Sequence, residues 1–133
     1  MERDFTIGGL SRRSGVRIET IRYYERVGLM PRVTRTPGGR RTFQQEQLRT
    51  LNFIRRSREM GFSLEDIRAL LPLREDGSCT DVKAIASRHL ESVRAKVRGL
   101  MELERVLADA VARCPGDRST ECTVLELLDT PSR

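Results

Sequence analysis

Three cysteines are the residues best suited to chemistry in this chain of 133 amino acids. Cys79 follows a short polar stretch, and Cys114 and Cys122 bracket the sequence PGDRSTE. An odd number of cysteines argues against a closed disulfide framework. The N-terminus, MERDFTIGGL, is charged and has no apolar signal core, so a cytoplasmic location with reduced thiols is expected. Thiolates select soft or borderline metal ions. Three thiolates without a nearby histidine are unusual for structural zinc, which takes four ligands. The plain alternative, for any one of them, is an ordinary reduced and inert cysteine. His89 is the only histidine; it falls on a different helical face from Cys79 and is read as a surface or interface residue. No cysteine–histidine pair for nucleophilic catalysis is therefore expected. With no phosphate loop, acid pair or nucleotide fingerprint either, the chain is not expected to be an enzyme.

A second group of residues suits polyanion binding. Residues 1–60 hold fourteen Arg, no Lys and six acids, a balance of +8, whereas residues 61–133 carry −2. The whole net charge of +6 thus comes from one end of the chain. Arginine is favoured where planar, bidentate contact to phosphate or guanine is needed. A one-sided, all-Arg excess points to nucleic acid more than to a merely solvated surface.

These groups need elements to position them. Residues 7–14 read as a short helix ending at Gly15. The pattern resumes at Val16, with Ile18, Ile21 and Tyr24 at helical spacing, and Gly28 follows the last periodic residue. Two short helices joined by a glycine turn make a helix-turn-helix candidate. Phe5-Thr6-Ile7 suits a short strand or a helix lead-in. In LMPRVTRTPGGRRTF, Pro31 and Pro37-Gly38-Gly39 rule out helix. A hairpin tipped by Pro-Gly-Gly and ringed by Arg32, Arg35, Arg40 and Arg41 is expected: a basic wing. A helix over 44–60 follows, with Leu48, Leu51, Ile54 and a candidate Phe53 facing inward, and Gly61 ends it. Ser63 caps the next helix with Asp66 at its third position. Leu64, Ile67, Leu70 and Leu71 form that helix's apolar face, Pro72 closes it, and residues 74–78 are expected to be a loop.

From Thr80 to about Ala112 the helical pattern is long. Leu90, Val93, Val97, Leu100, Leu103, Leu107 and Val111 recur at steps of three and four. A rod of roughly 50 Å has too little other chain to cover its apolar face. It reads as a parallel or antiparallel coiled-coil dimer helix. Residues 123–128 suit a last helical turn, and 129–133 a frayed tail. The expected fold class is mainly α, a winged helix-turn-helix head plus a long coiled-coil dimerisation helix. The expected division is 1–72 for the DNA-binding head, 73–112 for linker and dimerisation helix, and 113–133 for the C-terminal loop and short helix. About thirty-five residues of helix separate Cys79 from the other two cysteines, so one protomer cannot gather all three. If two such helices pair antiparallel, Cys79 of one meets Cys114 and Cys122 of the other. At a helix N-terminus, Cys79 is also expected to have a lowered pKa.

In order, IGGLSRRSGVRIETIRYYERVGLMPR, RTPGGRRTF and RSREMGFSLEDIRALL resemble the MerR family of metal-responsive transcriptional regulators across essentially the whole chain. The resemblance implies a winged helix-turn-helix head, an antiparallel dimer helix and an effector-binding C-terminal end. It implies that Thr20 and Arg22 face the major groove and that Tyr24 contacts phosphate. Arg35 and Arg41 match wing residues on the backbone, Arg40 fills a wing position often aromatic in relatives, and Arg17 is counted in the same DNA-binding set. Tyr23 is expected to pack into the head's core. Within the family, copper(I)-type members resemble this chain at the C-terminal loop but lack a match for Cys79, which divalent-metal members carry. The spacings around Cys79 resemble the mercury-responsive branch, although the Cys114–Cys122 loop is one residue shorter. The metal set is therefore Cys79, Cys114 and Cys122, with Hg(II) as the preferred effector and Cd(II), Pb(II) or Zn(II) behind it. The implied partners are double-stranded promoter DNA, a second copy in a homodimer and RNA polymerase, with no membrane. The resemblance further implies activation by distortion of a two-fold operator in a promoter spacer. The competing reading keeps the DNA head and makes the cysteines a redox or electrophile sensor, with Cys79 as the reactive thiol.

Overall fold

The computed structural model describes residues 4–31, 34–35, 41–117 and 122–131, with backbone alone at 34–35 and 41–42. In chain order the elements are α1 (Ile7–Ser14), α2 (Ile18–Arg26), β1 (Thr34–Arg35), β2 (Arg41–Thr42), α3 (Gln45–Glu59), α4 (Leu64–Leu70), α5 (Leu73–Asp76), α6 (Cys79–Arg113) and α7 (Thr123–Asp129). They fall into two compact units, residues 1–85 and 86–133.

In the first unit three helices, α1, α3 and α4, start where side chains satisfy their free amides. Thr6 caps α1, its Oγ1 accepting the Gly9 N–H at 3.0 Å. Gln44 and Gln47 close a reciprocal capping box on α3. Ser63 Oγ accepts the Asp66 N–H on α4 at 3.0 Å. Each such bond removes one of the orphan amides at a helix N-terminus. The helix-turn-helix turn needs a left-handed residue, and Gly15 provides it at φ 75°. β1 and β2 pair antiparallel, Thr34 opposite Thr42 and Arg35 opposite Arg41. The expected Pro-Gly-Gly tip, with Arg40, lies outside the described residues, as does Arg32. Phe5 takes the strand option: its backbone exchanges hydrogen bonds with Phe43, and α1 starts two residues later.

The core of this unit is aliphatic with a few aromatics. Leu10, Ile21, Met30, Phe43, Leu51, Ile54 and Ile67 are fully enclosed, and Leu48 and Tyr24 are nearly so. Each such aliphatic residue contributes about 1.5–3 kcal/mol by leaving water. Phe53 is only half-buried, and the Arg74 guanidinium lies over its ring at 5.1 Å. Residues 74–78, expected as a loop, instead begin with helix. Leu73–Asp76 coil into α5, whose C-terminus is closed by the Gly77 N–H bonding the Leu73 carbonyl. Pro72 does not stop the chain from coiling; it stands at the N-cap of α5 with α-helical dihedrals, a position that needs no proline N–H.

In the second unit α6 continues to Arg113 without a break, one residue beyond the expected end at either side. Gly99 has nothing near it that a side chain would touch. Ala110 is buried, and Val106, Ala110, Thr123 and Leu127 line a groove of about 370 Å³ between the end of α6 and α7. Among the described residues no helix is long and apolar enough to cross a membrane.

Candidate functional site

The end of α1 that leads into α2, and the C-terminal end of α2, are each held by an arginine that lies 41 residues further along the chain. At the entry to α2, Ser14 is fully buried and its Oγ accepts the Val16 N–H at 3.1 Å. Ser11 Oγ donates to the Val16 carbonyl at 2.6 Å. Arg55 on α3 donates to the Ser14 carbonyl at 2.5 Å, and a side chain on Gly15 would meet that same guanidinium. At its exit, Arg68 on α4 donates to the Val27 carbonyl at 2.5 Å. Charge-assisted bonds of this kind are about twice as strong as neutral ones. They fix the helix on the core by its backbone, so its outer side chains stay free for a partner.

That outer face carries Arg17, Glu19, Arg22, Tyr23 and Arg26, with Thr20 half-buried beside them. Ile21 and Tyr24 point inward. The expectation for Tyr23 is therefore corrected. Tyr23 is 41% exposed and stacks under Arg26 at 5.9 Å, whereas Tyr24 is 8% exposed and belongs to the core. The helical phase explains the exchange: Tyr24 lies about 60° from Ile21 around the axis, but Tyr23 about 160°. Sequence spacing already placed Ile21 and Tyr24 on one face, and that was the signal for an exposed Tyr23. No comparable signal pointed to Arg55 and Arg68, whose partners are backbone carbonyls far away in the chain. Arg35 and Arg41 face each other across the two-strand ladder next to this helix in sequence, and Arg40 lies outside the described residues.

The cysteines occupy both ends of α6. Cys79 is its first residue and is exposed. Cys114 follows its last residue, and Cys122 is the N-cap of α7; both are half-buried. The Cys114 side chain lies close enough to Cys122 to act on its thiol. The Cys122 thiol is held below the ordinary thiol range, first by the Leu125 backbone N–H. The Val124 N–H and the Cys114 side chain add to this, against burial and the Glu126 charge. At Cys122 the amides of Val124 and Leu125 in the first turn of α7 face the sulfur, and a helix N-terminus of this kind favours the thiolate. Among the described residues no three His, Cys, Asp or Glu side chains gather in one place as a metal site. The protein chain brings two of the three predicted thiols together, and their soft, adjacent donors fit a thiophilic ion.

The sequence profile described as MerR HTH family regulatory protein matches residues 5–73, and that described as MerR, DNA binding matches residues 48–110. This chain belongs to the MerR family. The family is one of helix-turn-helix, DNA-binding transcriptional regulators, so α1 and α2 form the motif and α2 its second helix. Among the relatives of this MerR-family chain is the mercuric resistance operon regulatory protein of Bacillus cereus, 39% identical over 127 residues, which span 93% of this chain and 96% of that one. The transcription regulator PbrR691 from Ralstonia metallidurans CH34, solved in complex with lead(II), superposes with a TM-score of 0.79 at 36% identity, covering 93% of this chain and 98% of that one. The MerR regulator of Bacillus megaterium MB1, solved in complex with the mercury(II) ion, gives 0.68 at 36% identity, covering 95% and 100%.

The two tyrosines separate packing from surface. Tyr24→Ala is expected to destabilise the fold by about 3–5 kcal/mol, the usual loss for a buried aromatic. Tyr23→Ala is expected to stay within about 0.5 kcal/mol of the parent, as for an exposed position. Urea denaturation followed by circular dichroism measures both; equal losses would contradict the assignment.

Proposed function

We propose that this chain is a homodimeric, Hg(II)-responsive regulator of promoter DNA, its metal site built from Cys79 of one protomer and Cys114 and Cys122 of the other. The observation that carries this reading is the contact between Cys114 and Cys122 at one end of α6, with Cys79 alone at the other end. A two-thiol cradle and a third thiol 35 residues of helix away call for a second, antiparallel copy to complete the set. The apolar row on α6 supports the same arrangement. Leu90, Val93, Val97, Leu100, Leu103, Leu107 and Val111 are each between 38% and 65% exposed in the single chain. Their burial against a second α6 would contribute on the order of 10 kcal/mol. Two relatives named above are described by mercury, at 39% and 36% identity over nearly the whole chain; PbrR691 is described by lead, which makes Pb(II), with Cd(II) and Zn(II), the next effectors in line.

In this reading the exposed face of α2 enters the major groove, with Thr20 and Arg22 toward the bases, Arg17 at the helix start, and the wing residues Arg35, Arg40 and Arg41 on phosphate. The buried position of Tyr24 leaves Tyr23, with Arg26, as the tyrosine on that face. The dimer sits on a two-fold operator within an over-long promoter spacer. Once Cys79 is tied through the ion to the partner's Cys114–Cys122 loop, the two heads shift. The DNA is bent and untwisted, and RNA polymerase can engage both promoter elements. The ion acts only as far as it binds the activating arrangement better than the resting one.

Two expected outcomes follow. Ultraviolet titration of the reduced protein with Hg(II) under excess small thiol gives a thiolate charge-transfer band that saturates at an integral number of ions per dimer. Run beside it, Zn(II), Cd(II), Pb(II) and Cu(I) bind more weakly. A stronger band with another ion changes the effector, and no band with any ion contradicts metal sensing in favour of thiol oxidation. In fluorescence anisotropy with an operator duplex, Arg22→Ala loses about 1–3 kcal/mol of sequence discrimination; unchanged discrimination would remove Arg22 from the base-reading set.

A further inference from the structure

The segment between α4 and α6 is built without slack. Arg74 lies on the four-residue helix α5, five positions before Cys79. Its Nη2 donates both to Glu46 Oε1 at 3.3 Å and to Thr50 Oγ1 at 3.1 Å, both on α3. Its guanidinium plane covers the ring of Phe53, also on α3, at 5.1 Å. Three successive turns of α3 thus grip one side chain that is only 20% exposed. Gly77 then turns the chain directly into α6: a Cβ there would lie 2.4 Å from the Leu73 carbonyl and Cβ. Ser78 caps α6, its Oγ accepting the Thr80 N–H at 3.1 Å and its carbonyl the Asp81 and Val82 N–H groups. The Cys79 end is thus joined to Arg74 through Ser78, Gly77 and α5.

At the far side of α3 sits Arg55, which holds the Ser14 carbonyl in the helix-turn-helix turn. One helix therefore connects the grip on α5 to the grip on the last residue of α1, where the chain turns toward α2. The grip on α5 is also incomplete. Arg74 Nε is buried and, among the described residues, is the one buried side-chain nitrogen or oxygen without a partner. Buried donors are almost always satisfied. An unsatisfied one leaves room for a second arrangement in which the guanidinium rotates to find an acceptor. Two discrete packings of one element are what a switch requires.

We infer that Arg74 is the positioning residue that couples Cys79 to the DNA-reading helix, by clamping α5 to α3 in one of two arrangements. The inference rests on the metal-responsive reading given above. It assigns Arg74 no contact with metal or DNA; its effect is on the coupling between them.

Coupling is reciprocal: if the ion changes operator affinity, the operator changes ion affinity by the same factor. The test is the Hg(II) affinity of the full-length protein, measured by thiol competition, with and without operator duplex. The parent protein is expected to show a ratio on the order of tenfold. In Arg74→Gln the ratio is expected to fall to within about twofold of unity, while metal-free operator affinity, Hg(II) stoichiometry and melting temperature stay near the parent's. Arg74→Lys keeps the charge but not the planar fork, and is expected to fall between the two. Should Arg74→Gln fail to fold, Phe53→Leu, which removes the ring face but keeps an apolar side chain, is expected to lower the ratio. A parent-like ratio in folded Arg74→Gln, or in Phe53→Leu where Arg74→Gln does not fold, overturns the inference. A parent protein whose Hg(II) affinity ignores the operator has no such coupling for Arg74 to carry and overturns the inference, whereas the metal-responsive reading fails only if the ultraviolet titration above shows no thiolate band.

Discussion

The row of aliphatic side chains along α6 is the constraint on which the other features depend. A helix of 35 residues that keeps Leu100, Leu103 and Val111 more than half exposed is not a finished surface. Helical stability in proteins comes mostly from packing an apolar face, not from intrinsic propensity. In the proposed dimer that face is covered by its own copy. The pairing then determines everything at the ends of the helix: which cysteines meet, and how far apart the two heads are held. Ion pairs along the exposed sides, such as Arg94–Glu91 and Arg113–Asp109, are spaced three or four residues apart and contribute little each.

Within the head the organising idea is different. Charge does two jobs there, and burial separates them. Arg55 and Arg68 reach inward to backbone carbonyls and fix the position of α2, while Arg17, Arg22 and Arg26 remain on the face that helix turns outward. An arginine count alone does not distinguish the two uses, because both contribute to the same excess of positive charge. The distinction matters for function: a recognition helix held by its own backbone can present side chains in a fixed register to a duplex.

Much of this was legible in the sequence, for definite reasons. Gly15 and Gly61 mark helix ends because each adopts a left-handed φ that L side chains avoid. Ser63 and Asp66 mark a helix start because the serine oxygen must find an amide. The long helix was visible because a period near 3.6 persists for nine turns without proline. Tyr23 was expected in the core and lies outside it, because adjacent identical residues differ in helical phase and only Tyr24 shares the face of Ile21. The coiling of Leu73–Asp76 was missed because a charged, glycine-flanked stretch resembles a loop until Arg74 is seen gripping α3, a contact spanning 28 residues. The lowered thiol at Cys122 was not legible in the sequence, because it depends on the amides of Val124 and Leu125 facing the sulfur at the start of a short helix.

In the proposed regulator each metal site is shared between two chains. That sharing is tested most directly with a heterodimer purified through two different tags, one chain carrying Cys79→Ser and the other Cys114→Ser with Cys122→Ser. A shared site predicts one three-thiolate Hg(II) charge-transfer band per heterodimer, because one end still holds Cys79 opposite an intact Cys114–Cys122 pair, and no such band in either homodimer. A heterodimer that shows no three-thiolate band, while the parent dimer does, would contradict the shared site.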